Sequence, residues 1–108
     1  MAMVSRFDVY LVNLDAEVSS DPKNTRPSVI ISPDEINRNI QTVLIAPLSS
    51  TKLLYPTRIP LEFLGAPRAI ILDQIRAVDK SRLVKKIGEI DLTARKVVIE
   101  KLQELFAE

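Results

Sequence analysis

The sequence contains no cysteine and no histidine. Zinc therefore lacks its usual thiolate and imidazole ligands, and any metal site has to be built from oxygens alone. The same absences exclude nucleophilic catalysis through Ser–His or Cys–His pairs. They exclude disulfides as well, without fixing a compartment. No apolar run reaches the roughly 18 residues that a membrane-spanning helix needs. Met1 to Arg6 lacks the long apolar core of a secretory signal, so a cytoplasmic protein free of membrane is expected. An excess of one charge is missing too: 15 Lys and Arg balance 14 Asp and Glu, for a net charge of +1. Non-specific duplex binders usually show a strongly basic domain. A locally basic groove on a mixed surface stays open.

What is present folds. The chain has 108 residues, 46% of them hydrophobic, which suits one domain over residues 1–108 rather than a disordered segment. No internal repeat, low-complexity stretch or linker interrupts it.

The first half reads as strands. Phe7 to Leu14 alternates Phe7, Val9 and Leu11 against Asp8, Tyr10 and Val12, which predicts a strand with one buried face. Val29 to Ile31 and Thr42 to Leu48 are β-branched apolar runs that predict buried strands. Between them, Ser32-Pro33-Asp34-Glu35 has the form of a capping box. It predicts a single helical turn, because Asn37 to Asn39 is polar. Thr57 to Leu61 alternates again, with Pro60 marking an edge or a strand end. Ala69 to Ile75 is an apolar strand with Asp73 and Gln74 set inside it. Ser81 to Lys86 predicts a short helix, and Gly88 to Ile90 a last short strand. From Asp91, a plausible N-cap, Val98, Leu102, Leu105 and Phe106, with Ile99 beside them, follow three-four spacing. Several short strands with Pro-marked turns predict a mainly β fold, a small barrel carrying a C-terminal amphipathic helix.

Four features carry potential chemistry. The stretch from Asp15 to Pro27 is long for a connection between adjacent strands, and such loops are usually functional or mobile. Pro27 biases Arg26 toward an extended backbone, from which a guanidinium can fork onto a phosphate. The ordinary alternative is a surface arginine in a salt bridge. Ser49, Ser50 and Thr51 end a buried strand, where hydroxyls are common turn formers. Asp73 and Gln74 are polar within an apolar run, so one of them should face inward or into a groove, and a buried carboxylate needs a partner. Lys80, Arg82, Lys85 and Lys86 form a basic cluster, either a solvated face or a set of phosphate contacts.

Together these features resemble the MazF/PemK toxin family over nearly the full chain. The matching words are Phe7-Asp8-Val9-Tyr10 with Asn13-Leu14-Asp15, Thr25-Arg26-Pro27 followed by Val29 to Ser32, and Thr42 to Ser49. Further matches are Tyr55-Pro56-Thr57-Arg58, Leu72-Asp73-Gln74-Ile75-Arg76, Asp79 to Leu83 and Lys86-Ile87-Gly88. Each is weak alone; their order and spacing are specific. The resemblance implies an SH3-like small β-barrel of the CcdB/PemK-like type. It implies a homodimer that cuts single-stranded RNA and is restrained by a small antitoxin, without a cofactor. The family's arginine before proline falls on Arg26, its hydroxyl residue after the third strand on Ser49, and its Asp-Gln pair on Asp73-Gln74. Two departures are visible. Serine stands where threonine is common, and the first loop reads Ser19-Ser20-Asp21-Pro22, with Asp21 for a glutamate and Ser19 for a glycine.

By that resemblance the RNA 2′-hydroxyl attacks the adjacent phosphate, leaving a 2′,3′-cyclic phosphate and a 5′-hydroxyl. Such chemistry needs charge stabilisation and proton transfer but no metal. Arg26 suits the first task, because a guanidinium is too weak an acid for the second. Ser49 suits binding a phosphate oxygen or orienting the 2′-hydroxyl, and Asp73 is the best base by residue type. Thr25, Asp21, Lys23, Lys52 and Arg58 are candidate RNA contacts with Ser50 and Gln74, and Tyr55 is a candidate stacking residue. The antitoxin is expected to be an acidic, partly disordered peptide that occupies the RNA site. Two other functions share this fold: a toxin that binds a protein such as gyrase without cutting, and an inactive relative that keeps only antitoxin binding.

Overall fold

The computed structural model describes residues 3–14, 25–50 and 58–107. Its strands are β1 (Asp8–Asn13), β2 (Thr25–Ile30), β3 (Thr42–Ser49), β4 (Arg58–Phe63), β5 (Ala66–Ile71), β6 (Arg76–Asp79) and β7 (Leu83–Glu89), and its helices are α1 (Asp34–Asn39) and α2 (Leu92–Phe106). The strands form one sheet in the order β4-β5-β3-β2-β1-β7, with β6 also paired to β3. Every pairing is antiparallel. The sheet curls into an SH3-like half-barrel. At its tip the Phe63 ring lies against Gly88, where a Cβ would come within 3.0 Å of it. Gly88 has φ +156, so both space and backbone favour glycine there.

Alternation along the strands builds two cores. Val9, Val29, Ala46, Leu48, Ile59 and Ile70 point to one face, where Ala94 and Val98 of α2 cover them. Val12, Ile30, Val43, Ile45 and Val78 point to the other, where Val4 and Tyr10 join them. This corrects the expectation of a single buried face for β1. It is an interior strand between β2 and β7, so both of its faces meet packed neighbours.

Several local readings also need correction. Pro33 is the N-cap of α1 and no side chain caps the helix. Ser32 is occupied elsewhere: its hydroxyl donates to Asn37 Oδ1 at 2.5 Å and accepts from the Leu44 amide at 3.1 Å. Asn37 Nδ2 donates back to the Ser32 carbonyl. These bonds bury Asn37 and carry α1 past the single turn expected, through Asn39. The helix expected over Ser81 to Lys86 is only a 3₁₀ turn, Lys80–Arg82, which Asp79 caps through the Ser81 amide at 2.8 Å. The strand that follows starts at Leu83, because pairing with β1 begins there.

α2 starts where expected, with the Asp91 carboxylate accepting from the Ala94 amide at 2.7 Å. Its packing face is Ala94 and Val98 with half-buried Val97 and Leu102, whereas Leu105 and Phe106 stay exposed. Among the described residues no helix is long and apolar enough to cross a membrane.

Candidate functional site

The register defines a polar row on the face opposite α2. β2 and β3 pair as Ser28↔Pro47, Val29↔Ala46 and Ile30↔Ile45. Val29 and Ala46 belong to the α2 side and Ile30 and Ile45 to the other. With a side-chain period of two, Arg26 and Ser28 share the face of Ile30, and Ser49 shares that of Ile45. The β2–β3 pairing ends at Ser28↔Pro47, and Arg26 and Ser49 stand two residues beyond it, on one face of adjacent strands. β5 extends the row, since Ser49 pairs with Ala69. Next comes β4, where Arg58 pairs with Ile71.

Arg26 is exposed, and its Nη1 donates to the Thr25 carbonyl at 3.2 Å. Among the described residues it has no carboxylate partner, so the salt-bridged reading does not hold for them. The side chain is thus tethered at one nitrogen and open to an anion. Ser49 is half-buried and Ser50 exposed. Thr25 is buried and turns to the opposite face from Arg26.

Asp73 and Gln74 are corrected as well. Strand β5 ends at Ile71, and Leu72–Gln74 form a 3₁₀ turn by which the chain passes from pairing with β4 to pairing with β3. Leu72 enters the core while Asp73 and Gln74 are both exposed. Asp73 Oδ1 lies 3.7 Å from Arg58 Nε. The structure therefore places Arg26 and Ser49 on one face of two adjacent strands, and Arg58 and Asp73 in one ion pair. β5 runs between Ser49 on β3 and Arg58 on β4. Asp21, Lys23, Lys52 and Tyr55 lie outside the described residues.

The basic cluster proves largely committed. Lys80 Nζ donates to the Asn37 carbonyl, and Arg82 Nη1 to the Asn13 carbonyl at 3.1 Å. Lys86 Nζ lies 3.2 Å from the carboxylate of Asp8, which is 1% exposed. That hydrogen bond and charge hold the Lys86 ammonium above its ordinary pKa. Tyr10 beside them is pushed up, first by burial and then by Asp8.

Two residues on the Arg26 face escape sequence reasoning. Arg76 pairs with Ile45 and is exposed on that face; alternation with buried Val78 was its only signal. Ser28 is fully buried next to Arg26, and its hydroxyl has no hydrogen-bond partner among the described residues. A serine within a β-branched strand gives no such sign.

A curled antiparallel sheet with a C-terminal helix on one face is the architecture that compact toxins of the MazF/PemK type share. The chain belongs to the PemK-like, MazF-like toxin family of type II toxin–antitoxin systems, whose description matches residues 5–106. Solved structures share its fold. A MazE–MazF crystal structure from Deinococcus radiodurans is 21% identical, with a TM-score of 0.81 over 99% of this chain and 98% of that one. An endoribonuclease from a mycobacterial species is 21% identical, with a TM-score of 0.79 over 96% and 91%. Another, solved in complex with its cognate antitoxin, is 20% identical, with a TM-score of 0.77 over 96% and 93%.

Proposed function

We propose that this chain is the toxin of a toxin–antitoxin pair and cuts single-stranded RNA without a metal, as a homodimer. The observation that carries the reading is the exposed Arg26, without a carboxylate partner among the described residues, on the same face as Ser49 of the adjacent strand. A pure binding module has no need of that pair. The neighbours named endoribonucleases and the family match support the same activity.

In this mechanism the 2′-oxygen forms a bond to phosphorus as the bond from phosphorus to the 5′-oxygen breaks. Arg26 donates to the non-bridging oxygens and stabilises the charge that accumulates on them. Ser49 donates to a phosphate oxygen and fixes the scissile group over β3. Asp73, on the far side of β3, takes the 2′-hydroxyl proton, and water supplies one to the departing 5′-oxygen. Two strand spacings of about 4.8 Å separate the column of Asp73 from that of Arg26. Arg58 holds the Asp73 carboxylate, and Arg76, Ser50 and Gln74 flank the path of the strand. With no histidine or cysteine in the chain, none of these steps calls on a soft-metal ligand. The need for a 2′-hydroxyl makes DNA a non-substrate.

The test is incubation of purified protein with single-stranded RNA in EDTA, followed by mapping of the ends. Discrete internal cuts bearing 5′-hydroxyls and 2′,3′-cyclic phosphates are expected. Intact RNA together with impaired gyrase would instead assign the chain to the non-cutting toxins.

A further inference from the structure

We propose that a cleft on the α2 side of the sheet, between the β4–β5 hairpin and the ends of β1, β2 and β3, binds a small carboxylate with an apolar tail. The cleft has a volume of about 260 Å³, and Leu11, Pro27, Leu48, Phe63 and Ile87 give it apolar walls. It is smaller than the sites that take drug-sized ligands, so it suits a short chain or a single ring. Leu11, Pro27 and Leu48 follow the parity of Val9, Val29 and Ala46, and so continue the α2-side core toward the strand ends. No residue of α2 lines the cleft. Among the lining residues Arg68 alone is charged. It is half-buried and has no carboxylate partner among the described residues. A guanidinium without a counter-ion beside apolar walls is complementary to an amphipathic anion.

Backbone strain at the same place supports a bound group. Phe63 pairs with Ala66, so Leu64-Gly65 is a two-residue hairpin turn. Both residues have positive φ, +52 and +78. Such turns favour Asn-Gly, because a leucine is strained in the left-handed region. Leu64 is also 75% exposed, so packing among the described residues does not explain it. Its side chain lines the cleft, where an apolar tail would cover it. A carboxylate matches the single charge and planar fork of Arg68, whereas a phosphate monoester carries nearly two charges. RNA fits less well, because the apolar walls offer no hydrogen bonds to a base edge and Arg26 points to the other face. Pro27 and Leu48 are the sequence neighbours of Arg26 and Ser49. A tail seated against them rests on the backs of the two strand ends, so occupancy shifts the backbone that aims Arg26 and Ser49. The site rests on the proposed cleavage only for the consequence of that shift, a change of rate, and not for its binding chemistry.

The test reads binding without cleavable RNA, so its failure and that of the nuclease reading are distinguishable. The probe is octanoate, kept below the concentration at which it aggregates, with octanamide and octylamine as neutral and cationic comparisons. Octanoate should give saturable shifts of the amide NMR signals of Leu64, Ala66, Arg68 and Ile87, accompanied by those of Arg26 and Ser49. Octanamide should bind about 10-fold more weakly, and octylamine more weakly still. Arg68→Gln should weaken octanoate by about the same 10-fold and leave octanamide unchanged, a split that misfolding would not produce. Leu64→Asn, which suits the left-handed backbone, should raise the thermal midpoint and weaken both compounds. Four results overturn the proposal: equal affinity for the three compounds, unchanged octanoate affinity in both variants, movement of the lining amides by a 2′-O-methyl oligoribonucleotide in place of octanoate, or movement with protein concentration alone, which marks a second copy over the cleft. Shifts of the lining amides with none at Arg26 and Ser49 would overturn the link between the cleft and the opposite face.

Discussion

The two faces of this sheet are made by the same strands and do opposite things. On the α2 side, Val9, Val29, Ile59, Ile70 and Val98 interlock with little polar content. On the other side an apolar cluster fills only the middle, and the strand ends carry Arg26, Ser49 and Arg58, with a buried serine between. A one-residue step along β2 moves from Arg26 to Pro27 and from one face to the other. Both clusters support the fold, and the strand ends of the second face hold an exposed arginine and a buried hydroxyl that has no partner among the described residues. At the strand ends, parity separates residues packed into the core from those the proposed function uses, and substitutions of adjacent residues there should fall into different classes.

The largest effect should come from the α2 face. Ile70→Ala removes a fully buried side chain and should cost about 2–5 kcal/mol. Chemical denaturation checks the loss; cleavage per folded molecule should stay near wild type if the faces are independent. On the opposite face the pattern should reverse. Ser49→Ala should slow RNA cleavage by about 10- to 100-fold, the lower end of the loss of one positioned donor. Its thermal midpoint should barely move, and Ser49→Thr should restore the rate by returning the hydroxyl. Equal losses of rate and stability in Ser49→Ala would merge the two faces.

The Asp8–Lys86–Tyr10 group sharpens the comparison at the β1–β7 side. Lys86 and Tyr10 both have raised pKa values, Lys86 through Asp8 and Tyr10 through burial. A group with a raised folded pKa stabilises fully below its unfolded pKa, about 10 for both side chains, and loses that contribution as pH rises through the folded value. Stability should therefore fall above about pH 10, and Lys86→Met should flatten the fall in a pH series of thermal melts. The smallest effect concerns Ser28. Replacing an unpartnered buried hydroxyl by alanine removes a desolvation penalty, so Ser28→Ala should leave stability unchanged or raise it by up to about 1 kcal/mol. A loss of more than that in denaturant would mean that Ser28 has a partner.

Much of the architecture was legible because it follows from periodicity. The β-branched runs at Val29 and Thr42 became β2 and β3, and Asp91 with its three-four pattern became α2. Short polar elements were misread where long-range pairing outweighs local pattern. Asp73 and Gln74 sit in a 3₁₀ turn because the chain there leaves β4 to rejoin β3, and nothing local encodes that shift. Leu83 to Glu89 is a strand because β1 offers an edge. Arg26 and Ser49 were legible as residues, but only strand pairing and parity put them on one face of adjacent strands. Thr25 is buried for the same reason, since one step of parity decides between a buried and an open side chain.

The central claim is that Arg26 acts on RNA and not on the fold. Wild-type protein and Arg26→Ala should be compared on the same single-stranded RNA in EDTA, with thermal melts of both. The account predicts metal-free cleavage by the wild type and a rate lower by about 100-fold or more in the variant, at an unchanged thermal midpoint. Cleavage by Arg26→Ala at the wild-type rate would contradict it.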